Sequence, residues 1–399
     1  MSNTILTDSV IAAEFIRTLR NKCVGLGLIH RGYDKEFQNR KIGATVTVGI
    51  PARYAAVDGP TITAEQIQSH TEESVDITLD QHKTVPMSIT THDRTLKMDR
   101  FRERVIEPAI IPIADAVDTF IFGTLYKQVF HFVGQPGTDP SSFMAIGAAA
   151  QRLTEMGVPY EDRRCVLNPA GRWAMADALK GVFNPTMASD LLKKGFIGRS
   201  ADMSFHESNN IARHTAGAGA AAPLVKGASQ TGAAIITDAW GTSQSDVLLA
   251  GDVITFVGCY AVKPISGEAL PYLKQFVVTA DVDSDAVGTG EATLAISPAI
   301  VVTGARKNCS ASPTNDGAIT LVASHAANLA FHKNAMALCM APLAPLEGGS
   351  KSYQMKSDGI VILITGADNI LTLDTVWRLD VLFGGKVIHP EMACRIAGA

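Results

Sequence analysis

The sequence predicts an α+β protein made of more than one structural unit. Three observations carry that expectation. A long apolar stretch over 98–133 has helical spacing. Two strand signals flank a polar segment over 52–73. Short strands follow one another between about 230 and 325 with no helical pattern among them. In the first stretch Phe101, Val105, Ile106, Ile110, Ile113, Val117, Phe120, Ile121, Leu125 and Phe132 recur on one helical face. Asp99 is the candidate N-cap and Gly134 the candidate stop. A helix of that span runs about 50 Å at 1.5 Å per residue. Pro108 and Pro112 each remove a backbone donor, so a bend or break is expected near them.

At 399 residues the chain can hold two or three domains. Hydrophobic residues reach 46% and charged residues 19%, which implies a sizeable core and excludes global disorder. Aromatics are only 6% while glycine numbers 34, a mix that suits thin architecture with close backbone approaches. The net charge of −4 does not mark a dedicated nucleic-acid binder. No run of about 18 apolar residues appears, so no membrane span is expected. The first residues, MSNTILTDSVIAAEF, lack the basic start and apolar centre of a signal peptide. The six cysteines form no CxxC pair and read as reduced, buried thiols of a cytoplasmic protein.

Taken in order, residues 7–23 read as a short amphipathic helix carrying Val10, Ile11, Phe15 and Leu19 on one side. An extended arm follows. Val46, Val48 and Ile50 alternate in one strand; Val75, Ile77 and Leu79 alternate in the next and continue into Val85, Met87 and Ile89. The pair reads as a long hairpin with a polar tip. Such a hairpin has little to pack on alone, so a neighbouring subunit is the economical support. After the long helix, 141–225 reads as an α/β unit: a small-residue helix opened by Ser141 or Ser142, a strand over 163–169, and helices over 170–179 and 188–194. Thr215 to Ala234 reads as a Gly/Ala/Ser linker. The strands over 230–325 predict a small barrel or sandwich inserted into the α/β unit. From Ala326 mixed structure returns, with two strands around Gly384-Gly385 and a turn at His389-Pro390.

The search for chemistry finds little. His206-Glu207 starts like a zinc-protease helix, but position 210 is Asn. Gly384-Gly385-Lys386 lacks the spacing of a phosphate loop, and no GxSxG occurs. The ten histidines include no i,i+4 pair. A Cys394–His389 nucleophile pair is possible only through space and is disfavoured by its apolar surroundings. No catalytic residue, metal ligand or cofactor site is assigned. Arg53, Glu72 and Glu73 in the hairpin, and Arg100, Arg102 and Arg104 at the start of the long helix, are the candidate inter-subunit contacts.

The order of parts and several stretches together resemble a known family. These are VDITLDQHKTVPMSIT leading through RFRERVIEPAI and ADAVD, then VLNPAGRWAM, GDVITFVGCYAVKP, LKQFVVTADV, ATLAISPAI and NLAFHKNAMAL. They resemble tailed-phage major capsid proteins of the Hong Kong 97 fold, in the coat-protein branch of short-tailed Salmonella phages. The resemblance covers most of the chain. It implies an N-terminal arm (1–40), an extended hairpin loop (41–92), a peripheral domain with a spine helix (93–135), a first part of an axial domain (136–225), an inserted β-barrel domain (226–325), and a second axial part returning to the peripheral sheet (326–399). It also implies hexamers and pentamers in an icosahedral shell around double-stranded DNA, a scaffolding protein, a portal vertex, and room for a decoration protein, with no membrane. Lys35, Lys41 and Lys83 lie in or near the arm and loop, but no cross-linking role is assigned to them. The rival readings are a cytoplasmic hydrolase or transferase with an accessory β domain, which needs a pocket around His206, Asn209 or His389, and a phage tail or decoration module built on the β region.

Overall fold

The computed structural model describes residues 23–33, 45–54, 67–68, 72–90, 107–179, 198–200, 202–219, 222–346, 351–357, 360–369 and 374–398. In chain order the elements are β1 (Thr45–Ile50), β2 (Glu73–Thr78), β3 (Gln81–Thr90), α1 (Glu107–Gly123), β4 (His131–Val133), α2 (Phe143–Glu155), β5 (Arg163–Leu167), α3 (Pro169–Leu179), β6 (Arg199–Ser200), β7 (Met203–Glu207), β8 (Arg213–His214), β9 (Leu224–Val225), β10 (Gly232–Asp238), β11 (Val253–Val262), β12 (Ala269–Val278), β13 (Ala292–Ile300), β14 (Ile319–Leu321), β15 (His325–Ala326), β16 (Asn328–His332), β17 (Met336–Ala341), β18 (Lys351–Ser357), β19 (Ile360–Asn369), β20 (Asp374–Val387) and β21 (Ala393–Ile396). They sort into two compact units. The first gathers the described residues within Met1–Val48, Val75–Gly123 and Met336–Ile388; the second those within Gly49–Ser74, Thr124–Ala335 and His389–Ala399. The helices expected over 7–23 and 188–194, most of the hairpin tip, and the start of the long helix lie outside the described residues.

In the first unit, β20 is the organising strand. β3 pairs with it antiparallel over Asp374 to Phe383. β19 pairs over Asp374 to Asp380 and β17 over Leu382 to Val387. Since β3 and β17 overlap at Leu382 and Phe383, they must lie on opposite edges, so β17 and β19 share one edge in succession. β18 extends the sheet beyond β19. Leu379, Val381 and Phe383 alternate onto a buried face, where the Phe383 ring meets Phe120 of α1 at 5.4 Å, edge to face. α1 buries Ile110, Ile113, Ala114, Val117 and Ile121, the stripe that the helical spacing predicts.

Three expectations change in this unit. β3 does not prolong the hairpin; it joins the β20 sheet, where Val85 sits opposite Leu379. The long helix ends at Gly123, not Val133. Leu125–Gln128 form a 3-10 turn and His131–Val133 a strand. Every residue from Val129 to Val133 is buried, so spacing cannot separate helix from a strand covered on both faces. The helix also runs through Pro112 without a break. Pro108–Gln128 passes a length and hydropathy test for a membrane span, but 56% of it is buried inside the fold, as in a core helix. The third change is that Gly384 and Gly385 do not divide two strands; β20 runs through both. A Cβ on Gly384 would meet the Thr78 carbonyl and sit 2.8 Å from the Leu79 Cα. One on Gly385 would sit 2.8 Å from the Ala337 carbonyl and 3.1 Å from the Phe120 ring. The glycines mark close approach rather than a turn.

The N-terminal segment is fastened to α1 by Asp118. Its carboxylate accepts from Val24 N (2.9 Å), Gly25 N (2.8 Å) and Cys23 Sγ (2.8 Å). Burial raises the Asp118 pKa, against the three hydrogen bonds. His30 then adds a one-residue parallel bridge to β17 at Ala337.

The second unit holds two six-stranded sheets and a two-stranded one. One has the order β4-β21-β16-β5-β7-β6 and carries α2 and α3. Ser142 caps α2 by accepting from Ala145 N, and Asn168 Oδ1 accepts from Gly171 N at the start of α3. Arg163, 2% exposed, ties α2 to β5 by donating to the Pro159 and Val158 carbonyls and to Thr154 Oγ1. The other sheet has the order β14-β11-β12-β13-β10-β9. It closes on itself: Leu224 bridges Ala318, Val225 N donates to Gly317 O and Ile319 N to Pro223 O. The result is a barrel, which leaves no long open edge. Phe256, Phe276, Trp240, Ile254, Leu294 and Ile296 fill it. The chain leaves for the barrel after β8 and returns at β15, and those two strands pair, His214 with His325 and Arg213 with Ala326.

The Thr215–Ala234 stretch is not a free linker. Ala218 N and Gly219 N donate to Asp246 O and Val247 O, and the stretch contains β9 and the start of β10. A Cβ on Gly217 would lie 2.6 Å from the Leu248 Cα. Small residues are needed here because the chain runs tightly against the barrel. All six cysteines are free and buried, as their scatter suggests.

Two predictions follow from these contacts. Gly384→Ala should lower the denaturant midpoint of unfolding by an amount equal to about 1–3 kcal/mol, because backbone lies where its methyl must go. A midpoint equal to that of the parent would refute the close-approach argument. A fragment spanning 222–325 should fold alone, since its sheet closes within those residues; a dispersed amide NMR spectrum is the expected readout, and a collapsed one argues against it.

Candidate assembly surfaces

The hairpin base is supported by its own chain. Val46, Val48, Ile77 and Leu79 are buried, whereas Thr47 and Asp76 bond across the outer face at 2.7 Å. A neighbouring copy is therefore not required to hold the base. Further out, Tyr54 and Ile67 are exposed apolar residues.

Of the six candidate contacts, the structure places three. Arg53 donates to Glu391 at 2.6 Å, and His389 stands 3.8 Å from the same carboxylate. Burial works to raise the Glu391 pKa, but bonding to His389 and the charge of Arg53 outweigh it and hold it below the usual carboxylate value. Glu73 pairs with Arg306, on the loop after β13. Glu72 lies exposed beside it, at the foot of β2. These residues are thus engaged within the chain rather than gathered into one cluster. Arg100, Arg102 and Arg104 lie outside the described residues.

Two polar networks had no sequence signal. On the first unit's sheet, Asp380 of β20 is 4% exposed and accepts from Arg378 Nε (2.8 Å), Thr84 Oγ1 and His82 (2.9 Å). Burial opposes its charge, yet these donors lower its pKa. In the second unit, Asp252 at the start of β11 receives His214 Nε2 (2.8 Å), Leu249 N (2.7 Å) and Gly217 N (3.1 Å). The other His214 nitrogen meets the Tyr126 hydroxyl at 3.1 Å. Arg395 of β21 lies over the Tyr126 ring and donates to Gly251 O at 2.8 Å; burial pushes its pKa down to about 10. This network joins barrel to α/β sheet. The links made by His214, Tyr126 and Arg395 span 38 to 144 residues in sequence, so no local spacing reveals them.

The residues of the enzyme reading are not brought together. His206 is half-buried in mid-strand on β7, not on a helix, and His389 faces Glu391. The Cys394 thiol is fully buried, and burial pushes its pKa up to about 12, the opposite of an activated nucleophile. Among the described residues no group of three His, Cys, Asp or Glu side chains could hold a metal ion.

Comparison with known proteins adds the following. A capsid chain of Mycobacterium phage Che8 aligns at a TM-score of 0.48 with 15% identity, covering 93% of this chain and 90% of that one. One from the capsid structure of Cyanophage P-SCSP1u aligns at 0.42 with 12% identity, covering 90% and 84%. The CUS-3 coat protein I-domain aligns at 0.18 with 20% identity, covering 25% of this chain and 94% of that one. No curated protein sequence matches. The family model for the P22 coat protein, gene protein 5, matches residues 2–398. The chain therefore belongs to the P22 coat protein family and is a structural major capsid protein of a tailed phage, with the α+β fold of the Hong Kong 97 type.

Proposed function

We propose that this protein, a shell-forming capsid component, assembles as hexamers and pentamers into an icosahedral shell around double-stranded DNA, and that it does so without catalysis. Assembly takes place in the host bacterial cytoplasm, with a scaffolding protein and a portal vertex as partners and a decoration protein as a further candidate. The observation that carries this reading is the family match from residue 2 to 398, joined to a barrel that leaves and rejoins the α/β sheet through one ladder. Residues 1–40 are assigned as the arm, 41–92 as the extended loop and 93–135 as the peripheral domain with its helix. Residues 136–225 and 326–399 are assigned to the axial domain and the return to the peripheral sheet, and 226–325 to the inserted domain. The pairing of β3 and β17–β19 with β20 supports giving much of 336–388 to the peripheral side. Arg53, Glu72, Glu73, Arg100, Arg102 and Arg104 are proposed to meet neighbouring copies. With a net charge of −4, the chain suits confinement of DNA through few phosphate contacts.

Negative-stain microscopy of the protein expressed in bacteria, with and without the scaffolding protein, tests the reading. Closed shells or capsomer rings are expected; monodisperse small particles under both conditions would overturn it. Deleting 55–71 should leave a subunit with unchanged circular dichroism that sediments only as small species. Normal shells from that deletion would remove the loop from the assembly argument. The combined change Arg100→Glu, Arg102→Glu and Arg104→Glu should reduce shell yield, with the circular dichroism of the subunit unchanged.

A further inference from the structure

Between α2, β4 and β12 of the second unit, three nitrogen-bearing side chains meet, two of them with unpaired nitrogens. His131 on β4 is 1% exposed, and neither ring nitrogen has a hydrogen-bond partner. Lys274 on β12 is 5% exposed; its ammonium lies 4.4 Å from the centroid of the Phe130 ring, and no ion pair is made to it among the described residues. Arg152 on α2 lies 3.4 Å over the Tyr272 ring, and its Nη1 is buried without a partner. The contacts link the three. The Phe130 ring is also 4.3 Å from the His131 ring. Tyr272 and Lys274 alternate on β12 and so project to one side. Gln275 clamps the two strands by accepting from Phe132 N and donating to Phe132 O, both at 2.8 Å.

The neighbouring carboxylates are already engaged. Glu155 accepts from the Tyr272 hydroxyl (2.6 Å) and the Gln151 amide (2.8 Å). Glu391 accepts from Arg53 (2.6 Å). The remaining titratable neighbours are the Cys259, Cys309 and Cys394 thiols. Burial pushes the Lys274 pKa down to about 8, with Arg152 adding to it and Cys309, Glu391 and Cys259 opposing it. The amine is still mostly protonated at neutral pH. Burial, then Lys274 and Arg152, drive His131 well below its usual pKa, so it is neutral and keeps one N–H. A buried charge without a partner is costly. A single water could donate to the bare His131 nitrogen, but it brings no negative charge to set against Lys274.

We propose that Lys274, Arg152 and His131 form a binding site for one small monovalent anion of chloride size, which neutralises Lys274 and fastens the barrel to the α/β sheet. The charge match sets the valence. The proposal is independent of the assembly reading.

The test is thermal unfolding of the full-length chain in sodium chloride, sodium bromide or sodium gluconate at equal ionic strength. Chloride and bromide should raise the midpoint saturably by about 2–4 °C over gluconate, for an anion bound only by the folded state. Lys274→Met, which removes the charge and keeps much of the volume, should lose that difference, and Arg152→Gln should weaken it. Bromide-soaked crystals should show an anomalous peak among the three side chains. An equal halide response in wild type and Lys274→Met, no halide-specific rise in wild type, or no anomalous peak there would each overturn the proposal.

Discussion

A β-strand has two edges, and the first unit depends on how fully β20 uses both of its own. One edge is taken by β3 and the other by β19 and then β17. Every partner adds a backbone ladder, and every partner's side chains must then share two faces. The face toward α1 is filled by Leu379, Val381 and Phe383. The end of the strand has room for no side chain at all, which accounts for Gly384 and Gly385. Glycine inside a strand costs conformational entropy, roughly 0.5–1 kcal/mol each relative to alanine. Only a close approach that no other residue permits offsets that cost. Asp380 is the remaining problem, a carboxylate buried in mid-sheet. Arg378 on its own strand, with His82 and Thr84 from β3, supplies the donors, so that pairing β3 with β20 and satisfying Asp380 are the same event.

The second unit meets a different constraint. A closed barrel inserted into another sheet is joined to it covalently only where the chain crosses, so the contacts at the crossing and between β4 and β12 must carry its orientation. The β8–β15 ladder is only two residues long. The Tyr126–His214–Asp252 chain and Arg395 add direction to it. A hydrogen bond of this kind has a narrow geometry, whereas apolar contact alone would let the barrel slide. Buried polar networks are weak as sources of net stability, because desolvation consumes much of the gain. Their value here lies in uniqueness: a barrel docked in another orientation would separate Asp252 from His214.

The sequence made some of this legible and hid the rest for identifiable reasons. The barrel strands were readable because each is short, alternating and bounded by turn residues, so local chemistry announces both ends. The stripe on α1 was readable because it is one-sided. The end of that helix was not, because Val129 to Val133 are buried without a break and such a run carries no period. Glycine misled twice, at Gly384-Gly385 and over 215–219, because the same residue serves a turn, a flexible joint and a tight crossing. Only the fold tells which. The polar networks were invisible because their members come from distant segments: Asp380 and Thr84 are 296 residues apart. Nothing in local spacing distinguishes them from ordinary surface residues. The hairpin charges were read as contacts between subunits; Glu391 and Arg306, the residues that engage Arg53 and Glu73 within the chain, could not be named without the fold.

Those hairpin pairs also bear on how a shell of identical copies is built. Arg53 is 43% exposed in its side chain and Glu73 56%, so solvent screens both. Exposed ion pairs of this kind contribute about 0–1 kcal/mol. They are enough to bias a side chain toward one position, and too little to hold it there against a competing partner. The interior acceptors behave oppositely: Asp118, Asp252 and Asp380 each take several bonds in burial, and losing one carboxylate would strand its donors. The molecule thus keeps its strong polar interactions inside each unit and its weak ones on the surface. An assembling protein needs that division, because a subunit must hold its own fold while its surface contacts form, break and re-form until the shell closes.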